Sequence, residues 1–266
     1  MSQAVSARSR RQNLAAFLRV KRDAMSPQEA GIVVQKSRHV PGLRREEVAE
    51  IAGISATWYA WLEQGREINV SSEVLQKVGR ALRMTDHEVS YMERLVAAAP
   101  LPTPTLVPEI PNVLRALVEN HQDAPAYVAT PRWDLLVWNA FMGELMGYER
   151  DSAPLERNIL YRIFFDASRR TLLADWEALA RNGAAVLRYN YSYYMGDPHF
   201  EALLDALRES DDFVRLWELH EVSPPRLPAT VIRHPSMGVL EVETVQASLD
   251  MAHGCVLALF DCKKIG

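Results

Sequence analysis

Leu43-Arg44-Arg45-Glu46-Glu47-Val48-Ala49-Glu50-Ile51-Ala52-Gly53-Ile54-Ser55-Ala56-Thr57-Trp58-Tyr59-Ala60-Trp61-Leu62-Glu63-Gln64-Gly65 decides the fold of the N-terminal part of this chain. Val48, Ala49 and Ala52 make the inner face of one helix, and the small Ala49 lets a second helix approach closely. Gly53 falls where the chain must turn through a left-handed conformation, which costs a residue with a Cβ energy. Ile54 plugs the corner, and Ser55 caps the next helix. Tyr59 and Leu62, three apart, face back into the core. Ala56, Thr57, Trp58, Ala60 and Trp61 then point outward. Each part has the spacing a helix-turn-helix needs, and the outward face is available to the major groove or the adjacent backbone of duplex DNA.

The surroundings of this stretch are helical too. Arg11 to Met25 places Leu14, Phe17 and Leu18 on one face, and Ser72 to Met84 and Asp86 to Ala97 follow the motif. Ser71-Ser72-Glu73 and Thr85-Asp86-His87-Glu88 supply capping oxygens for the last two helices. The expectation is a five-helix, all-α domain over residues 1–97. Between the first two helices, Met25 to Gly42 intervenes as a long connection. Within it Gln35-Lys36-Ser37-Arg38-His39 reads as a small arm that brings Lys36 and Arg38 to phosphate, or as an ordinary solvated loop.

Charge supports a nucleic-acid partner. The chain carries a net −4, yet residues 1–45 alone hold 10 basic and 2 acidic side chains. A basic head on an acidic body is the electrostatic footprint of a nucleic-acid-binding module joined to something else. The join is Pro100-Leu101-Pro102-Thr103-Pro104 through Pro111, which with its flanks forms a spacer over residues 98–111. Prolines at this density exclude helix and ladder pairing and favour an extended, semi-rigid conformation.

Beyond the spacer the period changes. Ala126 to Ala129 and Trp133 to Trp138 read as strands turned at Thr130-Pro131-Arg132, a helical stretch runs from about Asn139 to Val222, and Thr230–Arg233, Val239–Val245 and Cys255–Phe260 return to strands. That order predicts an α+β domain over 112–266, with helices on one face of an antiparallel sheet. Aromatic side chains crowd its middle. Most must be core, but Trp138, Phe164, Trp176 and Trp217 together are candidates to line an apolar ligand cavity. Arg157, Asn158, His220 and His234 are the candidates to meet a ligand's polar head. His220 reads equally as a satisfied core histidine and Arg157 as a salt-bridge partner.

Several classes are excluded or disfavoured. No apolar run approaches the ~18–20 residues of a membrane span, and no secretory signal is visible at the start. Cys255 and Cys262 lie seven apart in a strand, on opposite faces, so neither a local disulfide nor a zinc cage is expected. Gly-x-Gly-x-x-Gly, Walker, Gly-x-Ser-x-Gly and His-Glu-x-x-His motifs are all missing, so no catalytic residue, metal or cofactor is assigned. The expectation is a non-enzyme of a reducing cytoplasm.

The stretch at 43–65 resembles the XRE-type, phage-repressor-like helix-turn-helix family. Pro41-Gly42-Leu43-Arg44-Arg45-Glu46-Glu47-Val48-Ala49 with Trp58-Tyr59-Ala60-Trp61-Leu62-Glu63-Gln64-Gly65 is similar to one branch of it, the MmyB-like transcription regulators. Ala126-Tyr127-Val128, Arg132-Trp133-Asp134-Leu135-Leu136-Val137-Trp138-Asn139, Arg157-Asn158-Ile159-Leu160, Trp217-Glu218-Leu219-His220 and Arg233-His234-Pro235 extend the likeness from about residue 10 to about 260. The resemblance implies a PAS-like C-terminal ligand-binding domain. It also places Arg45 at the head of the first motif helix, where relatives often carry a glutamine that meets phosphate or base, and Ala56, Thr57 and Trp61 at base-facing positions. This surface departs from a polar readout, with no Asn, Gln or Arg for bidentate pairing.

The expected DNA-contacting set is thus Arg44, Arg45, Ser55, Ala56, Thr57, Trp58 and Trp61, with Lys36 and Arg38 on the arm. The expected function is that of a one-component transcription regulator. It would bind an operator in double-stranded DNA as a homodimer and sense a small, mostly apolar effector such as an acyl chain or a flat hydrophobic metabolite. The alternative is a helical protein-interaction adaptor with a purely dimerising C-terminal domain, which the exposed Trp58 and Trp61 keep open.

Overall fold

The computed structural model describes residues 2–32, 40–97, 109–249 and 254–265. The basic arm with Lys36 and Arg38, and the prolines of the spacer from 100 to 108, lie outside the described residues. Two compact units emerge. One comprises Met1–Leu101 with Ser192–Gly196 and Leu219–Pro224, and the other Pro102–Tyr191, Asp197–Glu218 and Pro225–Gly266. Among the described residues, no helix is long and apolar enough to cross a membrane.

The head contains the five expected helices: α1 (Ser2–Ala24), α2 (Arg45–Ala52), α3 (Ala56–Glu63), α4 (Ser72–Ala81) and α5 (Asp86–Val96). Leu14, Phe17 and Leu18 of α1 are buried, as their spacing predicts, and Phe17 meets Tyr91 of α5 edge to face with ring centroids 5.1 Å apart. Thr85 and Glu88 form the capping box of α5, the hydroxyl accepting from the Glu88 N–H and the carboxylate from the Thr85 N–H. Ser71 caps α4 by accepting from the Val74 N–H. α1 begins well before Arg11, because Ser2 to Arg10 lacks any proline or glycine to stop it.

The second unit holds α6 (Asn112–Glu119), β1 (Ala126–Ala129), β2 (Leu135–Trp138), α7 (Ala140–Met146), a 3-10 turn at Pro154–Arg157, α8 (Ile159–Phe165), α9 (Arg169–Leu172), α10 (Trp176–Tyr191), α11 (Pro198–Leu207), α12 (Asp211–Trp217), β3 (Thr230–His234), β4 (Gly238–Leu249) and β5 (Cys255–Lys264). The sheet is antiparallel throughout, in the order β2-β1-β5-β4-β3. This is the α+β architecture the strand and helix order predicts, but helices pack on both faces of the sheet rather than on one, α6 on one side and α7 and α8 on the other. Ala126 and Val128 turn one way with Val137, Cys255, Leu257 and Leu259, and the apolar Leu114 and Val118 of α6 cover that face. Tyr127, Thr244 and Phe260, one residue out of phase, turn the other way.

Three differences from the sequence reading have local causes. α6 is an element the reading did not name. β2 starts at Leu135 rather than Trp133, because Trp133 takes φ +74° and Asp134 instead bridges to Asn158. β4 and β5 run further than their apolar cores suggest, because the pairing continues through polar residues, from Leu249 opposite Cys255 to Leu240 opposite Lys264. Cys255 and Cys262 are both free thiols, and burial pushes each up to about 11.

Candidate DNA interface and ligand cavity

The turn between α2 and α3 has the predicted geometry. Gly53 adopts φ +65°, ψ +41°, and its N–H and that of Ile54 return to carbonyls of α2. Ser55 accepts a hydrogen bond of 3.0 Å from the Trp58 N–H. Val48, Ala49, Ala52, Tyr59 and Leu62 are buried. Ser55, Ala56, Thr57 and Trp61 are exposed, and Trp58 is half-buried. The Arg66 guanidinium sits 5.6 Å from the Trp61 ring, a cation at the end of the same face that the sequence reading passed over. Arg44 is exposed, and its N–H donates to the Glu47 carboxylate at 2.7 Å.

Arg45 is placed differently from Arg44. Its Nε donates to Glu63 Oε2 at 2.7 Å, while Arg22 Nε donates to Glu63 Oε1 at 2.5 Å. Glu63 is fully buried, and Arg22 Nη1 also donates to the Leu43 carbonyl at 2.8 Å. One carboxylate therefore ties α1, α2 and α3 together. Burial alone would raise the Glu63 pKa, but the hydrogen bonds from Arg22 and Arg45 outweigh it and hold the carboxyl below its ordinary value of 4.5. Burial, with the Glu63 charge beside it, pushes the Tyr59 phenol above its usual range. Sequence held a signal for this cluster. Glu63 lies four residues after the inward Tyr59, on the same stripe as Leu62, and a charge on a buried stripe requires partners.

In the second unit, one face of the sheet and the helices packed on it line a cavity of about 90 Å³. Tyr127, Ile232, Val242, Thr244 and Phe260 line it from the sheet, and Met142, Leu145, Met146, Ile159, Ile163 and Leu173 from the helical side. Arg169 is the one charged residue among the lining side chains, and it is only 2% exposed. Its Nη2 donates to the Met146 carbonyl and lies 3.4 Å from Asp166 Oδ2. Its Nε is buried without a hydrogen-bond partner among the described residues.

Asp166 is shared. Arg162 takes the same oxygen at 2.5 Å, so one carboxylate answers two guanidiniums. Burial opposes ionisation of Asp166, but hydrogen bonds from Ser168 and Arg162 and the charge of Arg169 hold its pKa down at about 2. Burial lowers the Arg169 pKa and raises that of Tyr148, whose ring lies 5.7 Å from the Arg169 guanidinium. The cavity thus joins an apolar wall to a cation with hydrogen-bonding capacity to spare.

The eight ligand candidates from sequence lie elsewhere, and none lines this cavity. Phe164, Trp176 and Trp217 belong to an aromatic cluster around Phe213: Phe164 meets Trp176 and Phe213 edge to face, and Trp217 stacks on Phe213 with centroids 5.3 Å apart. Trp176 Nε1 donates to the Ile163 carbonyl at 2.8 Å. Trp138 packs edge to face on Tyr148. Asn158 caps α8 and binds the Arg132 carbonyl and Asp134 Oδ1, both at 2.8 Å. His234 Nδ1 accepts from the N–H groups of Ser236 and Met237 at the β3–β4 turn. Arg157 is half-buried beside the 3-10 turn, and His220 sits in Leu219–Pro224 at φ +51°. Among the described residues, no group of three or more His, Cys, Asp or Glu side chains could hold a metal ion.

Arg169 had no strong signal in the sequence. Arg169-Arg170 opens a short helix and reads as solvated charge, and only its spacing of three from Asp166 hints at a pair.

Two family models match the chain. One, described as a helix-turn-helix domain, covers residues 7–92. The other, described as an MmyB-like transcription regulator ligand binding domain, covers residues 110–263. No curated protein matches it.

Proposed function

Since the chain belongs to the family of the MmyB-like transcription regulator ligand binding domain and carries a helix-turn-helix domain before it, we propose that it is a one-component, XRE-type regulator of a reducing cytoplasm. In this reading, α3 enters the major groove with Ala56, Thr57 and Trp61 toward the bases, and Arg44 holds the adjacent phosphate. Arg66 extends the basic rim beside Trp61. The face offers one hydroxyl, methyl groups and an indole, which suits contact with thymine methyls more than bidentate readout. One short helix reads few bases, so a homodimer on a twofold operator is the fitting assembly.

The observation that carries the sensing half is the apolar cavity with Arg169 in its wall. The effector it fits has an apolar body, an acyl chain or a flat hydrophobic skeleton, and a hydrogen-bond acceptor for the free Arg169 Nε. Such an effector alters transcription only through a difference in its affinity for the DNA-competent and incompetent states. A coupling of ~1–3 kcal/mol would change operator affinity roughly 5- to 150-fold.

The test is duplex binding by the full chain as salt rises. Phosphate-driven binding gives a linear fall of log K with log salt, and Arg44→Ala should flatten the slope by about 0.9, the share of a single neutralised phosphate. Binding that ignores salt would favour the adaptor reading instead, and a slope unchanged in Arg44→Ala would remove that side chain from the interface.

A further inference from the structure

We infer that Trp133 is a specificity-determining residue: its indole closes one end of the apolar cavity and sets the size of ligand admitted. This rests on reading the cavity as a ligand site. A second, smaller cavity of about 20 Å³ lies beside the first, and Tyr127, Trp133 and Ile159 line both. Trp133 is the largest of these three dividing side chains. The two spaces also differ in chemistry. The smaller one adds Thr130, Asn190 and Gln246 to its walls, and Gln246 Oε1 is buried without a partner among the described residues. That space suits water, whereas the larger one suits a hydrocarbon. The divider separates them.

The backbone shows that this wall is fixed. Trp133 has φ +74°, a conformation rarely taken by a bulky aromatic residue and maintained only where the surroundings over-determine it. They do so here. The Trp133 N–H donates to the Thr130 carbonyl at 2.9 Å, and the Trp133 carbonyl accepts from the Ile159 N–H at 2.9 Å. On one side, Arg132 binds Asp134 at 2.7 Å. On the other, the buried Asn158 and Asn190 amides donate to the Arg132 and Pro131 carbonyls, each at 2.8 Å. With the main chain pinned on both sides of Trp133, the backbone that carries the indole cannot shift to lengthen the cavity. A ligand that outgrows the space meets a stop.

The experiment uses the full-length protein and straight-chain primary alcohols from hexanol to tetradecanol, displacing the uncharged fluorophore N-phenyl-1-naphthylamine. Affinity in the wild type should rise about fourfold for each methylene buried until a cut-off, and then fall. Trp133→Gly relieves the strained φ and opens the divider. Alcohols one and two carbons past the wild-type cut-off should then gain about fourfold and sixteenfold. Trp133→Phe should shift the cut-off in the same direction by less, and Val256→Phe, which refills the smaller space, should return it in the Trp133→Gly background. Where Trp133→Gly loses its cooperative melt, Trp133→Phe decides. An unmoved cut-off in a folded variant overturns the inference and leaves the ligand site standing. Failure of every alcohol to bind the wild type overturns both.

Discussion

The head and the sheet domain each set one carboxylate between two guanidiniums, and the set is completed in the first and left incomplete in the second. In the head, the carboxylate of Glu63 is fully buried, and two guanidiniums meet it, Arg22 at both oxygens and Arg45 at Oε2. In the sheet domain, one carboxylate, Asp166, is divided between Arg162 and Arg169, and the buried Arg169 keeps an Nε with no partner among the described residues. A charge whose two oxygens are both met is architecture, because it specifies how three helices meet and offers nothing further to bind. A buried cation with a donor to spare, in a cavity otherwise apolar, is an incomplete set that a ligand can finish. Under the proposed function, the complete set suits a DNA reader and the incomplete one an effector site.

The largest effect should come from breaking the balanced set. Glu63→Ala leaves Arg22 buried without its carboxylate and should cost the head about 3–5 kcal/mol, read by denaturant unfolding of the full chain. Acid should act on the same group. A carboxyl whose folded pKa lies below 4.5 stabilises the fold fully above that value and loses its contribution as pH falls through the folded pKa. The Asp166 contribution should be complete above its ordinary value of 3.8 and be lost as pH falls from there through about 2. Tryptophan emission, compared between the wild type and Glu63→Ala as pH falls from 6 toward 2, checks this. Equal acid lability of the two proteins would show that Glu63 does not set the head's transition.

How much of each region could be read from sequence follows from the same contrast. The helix-turn-helix is written in adjacent residues, so Gly53, Ser55, Tyr59 and Leu62 each take a task from spacing alone, and the structure places them accordingly. The partners of Glu63 escape such a reading because they lie 41 and 18 residues away in the chain. Gly42 has the same difficulty. A Cβ there would lie 2.3 Å from the Asp23 carbonyl oxygen, a close approach with no signature in the neighbouring sequence. In the sheet domain the strands are legible from their periodicity, but the cavity is walled by single residues drawn from many elements. The aromatic residues that stand out in the sequence instead pack on one another. Aromatic content marks core, whereas a cavity is where packing stops, and composition carries no record of that.

A smaller effect should come from the turn that precedes β2. Asn158 is fully buried, accepts from the Tyr161 N–H as the cap of α8, and donates to the Arg132 carbonyl and to Asp134. Asn158→Ala should cost about 1–3 kcal/mol, because it leaves those groups buried and unmet. The loss should appear in unfolding of the sheet domain while the salt dependence of DNA binding stays unchanged. A flattened salt slope in this variant would break the division between reader and sensor drawn above.

The smallest effect belongs to Gly53, and it isolates backbone conformation from packing. No atom lies within 4 Å of where a Cβ at Gly53 would sit, so a side chain there has space, and only its φ of +65° resists. The left-handed conformation costs an L-residue roughly 1–2 kcal/mol, and branching at Cβ adds to that. Gly53→Val should therefore destabilise the head by about that amount, while Gly53→Asn, which tolerates the same region better, should cost less. Because the turn sets the angle between α2 and α3, Gly53→Val should also weaken duplex binding at a fixed salt concentration more than Gly53→Asn does. Equal unfolding midpoints for the two variants would mean that the chain relaxes around the turn, and that the glycine is not what fixes the presentation of α3.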